Sequence, residues 1–180
     1  MYKVSTYKIR GLISFSNNSF EDERGYFLES FSSKEFQSTI GNISFVQDNQ
    51  SFSRYGVVRG LHYQVGQFEQ SKLIRVVKGE ILDVAVDIRD GSPTKYEHIA
   101  IKLSSENKKQ FFIPKGFAHG FSVLSDEAIV CYKVDNYYSE KHERGIQYND
   151  KKLNIDWLIP DKDIVVSKKD SKLPLTDDLQ

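Results

Sequence analysis

Apolar and polar residues alternate over many short stretches of the chain, which is the pattern of β-strands with one buried face. The clearest stretch is ILDVAVDI, residues 81–88. Period two places four apolar residues on one face and two aspartates on the other: Leu82, Val84, Val86 and Ile88 against Asp83 and Asp87. Turn residues separate seven further predicted strands, at 45–53, 57–64, 72–77, 97–103, 109–114, 119–124 and 127–134.

Helical patterns are rare by comparison. SSKEFQSTI, residues 32–40, is the best candidate, because Ser32 and Glu35 have capping-box spacing and Phe36 shares a face with Ile40. We expect a second short helix near the C-terminus. Many short strands with little helix predict an all-β sandwich or barrel, and among these a jelly roll, whose mouth can hold a ligand.

Composition narrows the class of protein. The 180 residues show no repeat or linker, so we expect one domain over residues 1–180. The 25 basic residues balance the 25 acidic ones, which argues against nucleic-acid or membrane partners. The N-terminus lacks the apolar core of a signal peptide, no apolar run approaches about 20 residues, and Cys131 is the only cysteine. We therefore expect a soluble cytoplasmic protein, with Cys131 as an inert buried thiol in the apolar run AIVC.

Several predicted strands carry polar side chains on an otherwise apolar face. The rows that period two aligns are Gln47, Asn49 and Ser51; Lys72, Ile74 and Val76; His119, Phe121 and Val123; and Tyr132, Val134, Asn136 and Tyr138. A single His or Tyr in a strand is usually structural. The coincidence of His62, Lys72, His119 and Tyr132 on four segments instead favours a pocket where they converge.

RGLHYQ, residues 59–64, contains a geometric problem. Arg59 and His62 are an odd number of residues apart and would face opposite sides of a straight strand. Gly60 between them is typical of a β-bulge, which would turn both side chains into one cavity. The alternative is that Arg59 contacts something outside the cavity.

Metal chemistry fits the residues poorly. PKGFAHG, residues 114–120, matches the P-x-G-x-x-H element of metal-binding cupins, but Gln64 stands where their H-x-H pair would have its second His. We expect His98 and His142 at the surface, and two histidines without a third ligand make a weak metal site. We therefore predict no metal. No nucleophile elbow, phosphate loop or dinucleotide fingerprint is present either.

Proton transfer at a carbon next to a carbonyl fits better. It needs a base, a positive group for the enolate oxygen and an acid. His62, Lys72 and Tyr132 offer these three groups. An acid placed on the opposite side of the carbon from the base would invert the centre, which is an epimerisation without any cofactor.

The chain resembles the dTDP-4-dehydrorhamnose 3,5-epimerases, a family of the cupin-like jelly-roll superfamily. Six stretches in order carry the resemblance: FEDERGYFLESF (20–31), FVQDNQSFSRYGVVRGLHYQ (45–64), KLIRVVKGEILDVAVDIRDGSPT (72–94), IPKGFAHGFSVLSDEA (113–128), YKVDNYYSEKHERGIQYND (132–150) and SKKD (167–170). The resemblance implies a cupin-like double-sheet barrel and conversion of dTDP-4-dehydro-6-deoxy-D-glucose to dTDP-4-dehydro-L-rhamnose by inversion at C3 and C5. The alternatives are a relative that inverts one centre or acts on another nucleotide sugar, and a non-catalytic or metal-dependent sugar-binding cupin.

The resemblance also implies roles for residues. His62 corresponds to the base, Asp170 to the group that orients it, Tyr132 to the acid and Lys72 to the enolate-stabilising residue. His119 matches an active-site His for which Asp83 is a plausible partner, and Tyr138 an aromatic that stacks on thymine. The other matches to nucleotide-sugar ligands are Arg24, Glu29, Gln47, Asn49, Arg59, Glu143 and Lys169, with Lys168 as an alternative to Lys169. Members form homodimers with exchanged N-terminal segments, so Arg24 and Glu29 are expected to serve the partner's site.

Overall fold

The computed structural model of the protein describes residues 3–16 and 18–179. Within these residues the chain forms thirteen β-strands, one α-helix and several three-residue 3-10 turns. The strands are β1 (Lys3–Thr6), β2 (Ile13–Ser16), β3 (Ser19–Asp22), β4 (Gly25–Leu28), β5 (Gln47–Arg54), β6 (Val58–Gln64), β7 (Lys72–Lys78), β8 (Glu80–Asp87), β9 (His98–Ser104), β10 (Lys109–Ile113), β11 (Phe117–Val123), β12 (Glu127–Val134) and β13 (Glu143–Gly145).

Two antiparallel sheets face each other, which is the jelly-roll architecture that the strand pattern predicts. The first sheet has the order β1-β2-β10-β7-β12-β5 and the second the order β13-β6-β11-β8-β9. β3 and β4 form a separate hairpin. Because strands that are adjacent in the sequence repeatedly fall in opposite sheets, each sheet is assembled from distant parts of the chain. The predicted fold class is confirmed.

All eight predicted strands are present, with ends that differ from the prediction by at most two residues. Five strands were missed: β1 to β4 and β13. Each is only three or four residues long, and β1, β3 and β4 are largely exposed, so no apolar alternation marks them. Periodicity therefore finds the strands that line the core and misses those at its margin.

The core lies between the two sheets and is built from the inward rows of their strands. The first sheet contributes Ile74, Val76, Phe111 and Val130, and the second contributes Ile81, Ala85, Phe121 and Val123, each at most 6% exposed. Successive residues along a strand point to opposite sides, so the residues between these core positions face the outer surface of each sheet.

β8 is buried on both faces, so its apolar row is not the row that faces the barrel interior. Its apolar row, Leu82, Val84 and Val86, packs outside the barrel against Ile146, Leu153 and Trp157 of the later chain. Asp83 shares the barrel-facing row with Ile81 and Ala85. Ile88, predicted to extend the apolar row, lies one residue beyond the strand end but packs against the same cluster. The row that contains Asp83 therefore faces the barrel interior. The apolar row is buried under a layer formed by the later part of the chain.

The predicted helix is confirmed as α1 (Ser33–Thr39). The Ser32 side chain accepts a hydrogen bond from the Glu35 N–H, as its capping position requires. Phe36 is fully buried among Phe15, Phe31, Phe45 and Phe112, with ring centroids 5.1–6.2 Å away.

The second predicted helix, near the C-terminus, is wrong in kind. The structure has only three-residue 3-10 turns there, Asp161–Asp163, Asp170–Lys172 and Thr176–Asp178. Residues 164–166 are three β-branched residues, which disfavour a helix, and Val165 instead forms a parallel β-bridge with Val57. Among the described residues no helix is long and apolar enough to cross a membrane.

Candidate active site

One cavity of about 660 Å³ opens at the mouth of the barrel, and the polar rows of the inner strand faces meet there. Of the residues expected in the site, eleven line this cavity: Gln47, Asn49, Arg59, His62, Lys72, His119, Tyr132, Tyr138, Glu143, Lys169 and Asp170. The convergence that the four polar rows predict is therefore present. Tyr138 reaches the cavity from the loop after β12, because that strand ends at Val134.

The bulge expected in RGLHYQ brings Arg59 and His62 to the same side. His62 is opposite His119 and Arg59 is opposite Phe121, so two residues of β6 face only Gly120 of β11. Gly60 has φ +111°, and a Cβ there would lie 2.6 Å from the carbonyl oxygen of His119. Only glycine permits this approach, and the prediction that both side chains share one cavity is confirmed.

His62 is paired with a buried carboxylate. Its Nε2 lies 2.9 Å from Oδ1 of Asp170, whose Oδ2 accepts the N–H of Gly60 at 3.1 Å. Burial raises the pKa of Asp170, but the His62 ring and the Gly60 N–H outweigh it, and the pKa is lowered on balance. Asp170 is thus a carboxylate, which fixes the proton of His62 on Nε2 and leaves the lone pair on Nδ1.

Lys72 and His119 form the deepest part of the cavity. Nζ of Lys72 donates to the carbonyl oxygen of His62 at 3.2 Å. Burial lowers the pKa of Lys72 to about 8, against the opposing effect of Asp83 and Glu143. Nε2 of His119 lies 2.9 Å from Oδ2 of Asp83, the partner expected for it. Burial nevertheless lowers the pKa of His119, so the ring is neutral near pH 7 while Lys72 is positive.

Tyr132 faces the cavity from the first sheet, between Asn49 of β5 and Ile74 of β7. Burial raises the pKa of its phenol, and the positive charge of Arg59 only partly offsets this. The group is therefore protonated at neutral pH and can donate a proton. Since His62 belongs to the second sheet, its imidazole and the Tyr132 phenol approach the cavity from opposite sheets.

A set of polar side chains surrounds the outer part of the cavity. The Tyr138 hydroxyl donates to Oε2 of Glu143 at 2.9 Å, and the Lys169 ammonium binds the same oxygen. Partial burial raises the pKa of Glu143, but these two hydrogen bonds lower it on balance. Lys169 lines the cavity, whereas Lys168 is exposed and does not.

Comparison with known proteins bears on this site directly. The model of the family described as dTDP-4-dehydrorhamnose 3,5-epimerase matches residues 6–178. The chain belongs to this family. A dTDP-4-dehydrorhamnose 3,5-epimerase of Shigella flexneri is 52% identical over 163 residues, which is 87% of this chain and 90% of that protein. The family's isomerase chemistry agrees with a cavity that an imidazole and a protonated phenol line together.

Two solved structures show the range of the fold. The 3,5-epimerase of Legionella pneumophila in complex with dTDP-4-keto-L-rhamnose has a TM-score of 0.96 and 45% identity, over 100% of this chain and 95% of that chain. A mutant of a 3'-monoepimerase from Streptomyces bikiniensis in complex with dTDP has a TM-score of 0.88 and 28% identity, over 94% and 85%. The jelly roll is therefore shared by enzymes named for two inversions and for one.

Two expected ligands of the nucleotide sugar lie outside the cavity of their own chain. Arg24 is in the turn between β3 and β4, where it pairs with Asp22, and Glu29 is exposed just after β4. Neither residue lines the cavity. A role in binding the epimerase substrate would require this hairpin to reach a second subunit.

Gln64, which stands at a cupin metal-ligand position, and the histidines outside the cavity have other partners. Gln64 is buried and accepts the Ser139 N–H at 3.2 Å, while His142 contacts the Ser139 hydroxyl and stacks on Phe68. His98, expected at the surface, is half-buried. Among residues 3–16 and 18–179 no three His, Cys, Asp or Glu side chains are grouped so that they could hold a metal ion.

Cys131 corrects one expectation. It is partly exposed on the outer face of β12, and its thiol lies 3.6 Å from Oε1 of Gln50. The apolar run AIVC suggested burial, but alternation along the strand gives the barrel interior to Val130 and Tyr132.

Serines that hold the site were not singled out from the sequence. Ser53 accepts the Nε–H of Arg59 at 2.9 Å, and Ser167 accepts the N–H of Asp170 at 2.9 Å. Period two extends the row of Gln47, Asn49 and Ser51 to Ser53, so this residue could have been found. Nothing local marks Ser167.

Proposed function

We propose that this chain inverts C3 and C5 of dTDP-4-dehydro-6-deoxy-D-glucose to give dTDP-4-dehydro-L-rhamnose. The observation that carries the proposal is the His62–Asp170 pair on one side of the cavity and a protonated Tyr132 on the other. Inversion requires a proton to leave one face of a carbon and a proton to reach the opposite face. A base and an acid from opposite sheets satisfy that requirement.

The first step is proton abstraction next to the C4 carbonyl. Nδ1 of His62 takes the proton from the carbon, and Asp170 stabilises the resulting imidazolium through Nε2–H. Negative charge moves to the C4 oxygen, where the Lys72 ammonium stabilises the enolate in a buried environment. Neutral His119, held by Asp83, offers a further polar contact to the sugar.

The second step is protonation of the enolate carbon by the Tyr132 hydroxyl on the other face. Each inversion leaves one proton on His62 and removes one from Tyr132, and exchange with water restores both. The reaction transfers only protons, so it requires neither an oxidant nor a reductant. The same pair serves C3 and C5 because both carbons are adjacent to the C4 carbonyl.

The nucleotide is assigned to the outer part of the cavity. Arg59 offers a forked donor set to the diphosphate, held in place by Ser53, and Lys169 adds a second positive charge. Gln47 and Asn49 offer amide groups, and the ring of Tyr138 offers a flat face for thymine. Glu143 holds Tyr138 and Lys169 together. Residues 1–180 form one catalytic domain of a homodimer, with Arg24 and Glu29 of each chain serving its partner's cavity.

An enzyme that inverts one centre is the second candidate, since the fold is shared with a protein named as a 3'-monoepimerase. Incubation with the dTDP-4-keto sugar in D₂O separates the two. NMR of the product should show deuterium and inversion at both C3 and C5; a change at one carbon alone favours the second candidate.

The role of His62 is tested in the same assay. His62→Ala should lower the rate of exchange at both carbons by about 10²–10⁴-fold, the usual contribution of a general base. His142→Ala is the matched control, because His142 lies outside the cavity lining. Wild-type exchange in a folded His62→Ala variant would rule out the proposed mechanism.

A further inference from the structure

The C-terminal segment, residues 167–179, delivers Lys169 and Asp170 to the cavity but belongs to neither sheet. Its backbone has no strand ladder to set its position. Sheet-like contact ends at Val165, whose backbone bonds to Gly56 and Val58. The position of Asp170 against His62 therefore depends on what holds this segment after residue 165.

The segment is tied down at two ends. At the front, the Gly60 N–H donates to the Asp170 carboxylate. At the rear, the Thr176 N–H donates to Oδ2 of Asp150 at 2.6 Å, and the Gln147 N–H donates to the carbonyl oxygen of Pro174 at 2.9 Å. The front contact is made by the first residue of the 3-10 turn, Asp170, and the rear contacts lie after the turn ends at Lys172.

Asp150, which makes the rear contact, is a buried carboxylate outside the cavity. It is 4% exposed, and it does not line the cavity. Its other oxygen accepts the N–H groups of Lys152 and Leu153 at 2.8 and 3.4 Å. Burial raises the pKa of Asp150, but the N–H donors from Thr176, Lys152 and Leu153 lower it on balance, so the group is a carboxylate. It joins a turn that follows β13 to the C-terminal segment.

The rear end is also connected to the strand of the base. β13 pairs with β6, and its Gly145 is opposite His62. A Cβ at Gly145 would lie 2.7 Å from a methyl carbon of Leu173, so the segment packs directly on β13. Asp150 therefore clamps the segment against the strand that is hydrogen-bonded to the strand of His62.

We propose that Asp150 is a positioning residue for the His62–Asp170 pair, acting through the Thr176 N–H. The proposal rests on the role given to Asp170 above. Without the Asp150–Thr176 hydrogen bond, the segment keeps the Gln147–Pro174 hydrogen bond and the packing of Leu173 on β13, but it loses the bond from the buried carboxylate that fixes its rear end. A displacement of about 1 Å in a catalytic group can lower the rate by about 100-fold.

The decisive variant is Asp150→Asn. Its remaining oxygen can still accept the N–H groups of Lys152 and Leu153, but its amide presents a donor to the Thr176 N–H. Thr176→Pro removes the same hydrogen bond from the other side, and proline is tolerated at the first position of a helical turn. Asp177→Asn is the matched control, since it removes the same charge nearby, from an exposed side chain that pairs with Lys152.

We expect Asp150→Asn and Thr176→Pro each to lower kcat about 10- to 100-fold, with Asp177→Asn within twofold of wild type. The proton NMR signal of the hydrogen-bonded His62 Nε2–H should shift or broaden in the first two variants and stay unchanged in the control. Thermal unfolding and circular dichroism establish that each variant is folded. Should Asp150→Asn not fold, Thr176→Pro carries the test.

A double variant separates positioning from general stability. If Asp150 acts through Asp170, Asp150→Asn should lower kcat less than twofold further in an Asp170→Asn background. Additive losses would overturn the inference. So would a folded Asp150→Asn with wild-type kcat beside an impaired Asp170→Asn. An Asp170→Asn variant with wild-type kcat would instead overturn the role proposed for Asp170, and this inference with it.

Discussion

The floor of the cavity (His62, Lys72, His119 and Tyr132) and its rim (Tyr138, Glu143 and Lys169) hold their polar groups in different ways. Floor residues come from four long strands, and Lys72 and His119 are 9% and 7% exposed. At the rim, Tyr138 is 50% exposed, and hydrogen bonds with Glu143 connect it to Lys169.

The difference appears in the direction of the pKa changes. On the floor, burial is the main cause, and it lowers the pKa of Lys72 and His119 and raises that of Tyr132. At the rim, burial raises the pKa of Tyr138, but at Glu143 the hydrogen bonds outweigh burial and lower the pKa, and the bond with Glu143 raises the pKa of Lys169. The floor therefore holds groups suited to proton transfer and the rim holds fixed charges suited to binding. Floor substitutions should change kcat, and rim substitutions KM.

Among the substitutions that compare floor with rim, Tyr132→Phe should cause the largest loss of activity. Loss of the phenol removes the acid and should lower the rate of inversion about 10²–10⁴-fold. His62 still abstracts protons, so deuterium should enter C3 and C5 with retention of configuration. NMR in D₂O measures exchange and inversion separately. An unchanged rate of inversion would contradict the assignment of Tyr132.

The pH dependence tests the floor next. Because the pKa of Lys72 is lowered to about 8, raising the pH through 8 removes its positive charge, and kcat/KM should fall about tenfold per pH unit above it. Tyr132 cannot cause this alkaline limb of the pH–rate profile, since its pKa is raised above the usual value near 10. In Lys72→Arg the guanidinium stays charged, so the limb should disappear even if activity is low. If the alkaline limb persists in Lys72→Arg, a group other than Lys72 causes it.

At the rim, Tyr138→Ala should raise KM about tenfold and leave kcat within twofold. Stacking of a base on an aromatic ring contributes about 1–3 kcal/mol, which is lost in ground and transition state alike. Tyr137→Ala is the control, because Tyr137 is exposed and does not line the cavity. Steady-state kinetics give kcat and KM of both variants. A fall in kcat for Tyr138→Ala would mean that this ring contributes to the chemical step, as the floor residues do.

The smallest effect is expected for Lys169→Ala. An exposed ammonium is screened by water and salt, so KM should rise about three- to fivefold at low ionic strength and less at high salt. Lys168→Ala removes the same charge beside the cavity and should leave KM unchanged. Equal effects of the two variants would mean that net charge, not contact with the diphosphate, sets KM.

The floor was largely predictable and the rim was not. Period two aligned Gln47 with Asn49 and put Lys72, His119 and Tyr132 on inner faces, because alternation along a strand is a local property. The family resemblance supplied Glu143, Lys169 and Asp170, whereas period two aligned Tyr138 with Tyr132 by extending the strand past its end at Val134. Nothing in the chain around Lys169 or Asp170 predicts where that segment lies, since it forms no strand.

What the sequence by itself determined is the eight longer strands, the capped helix and the polar rows of the inner faces. The tertiary structure decided which surface each row covers. Leu82, Val84 and Val86 pack under Trp157, not in the barrel, and Cys131 faces outward. It also brought Asp170 to His62 across 108 positions and Asp150 to Thr176 across 26. Hydrogen bonds between such distant residues depend on how the layers stack, and strand periodicity carries no information about stacking.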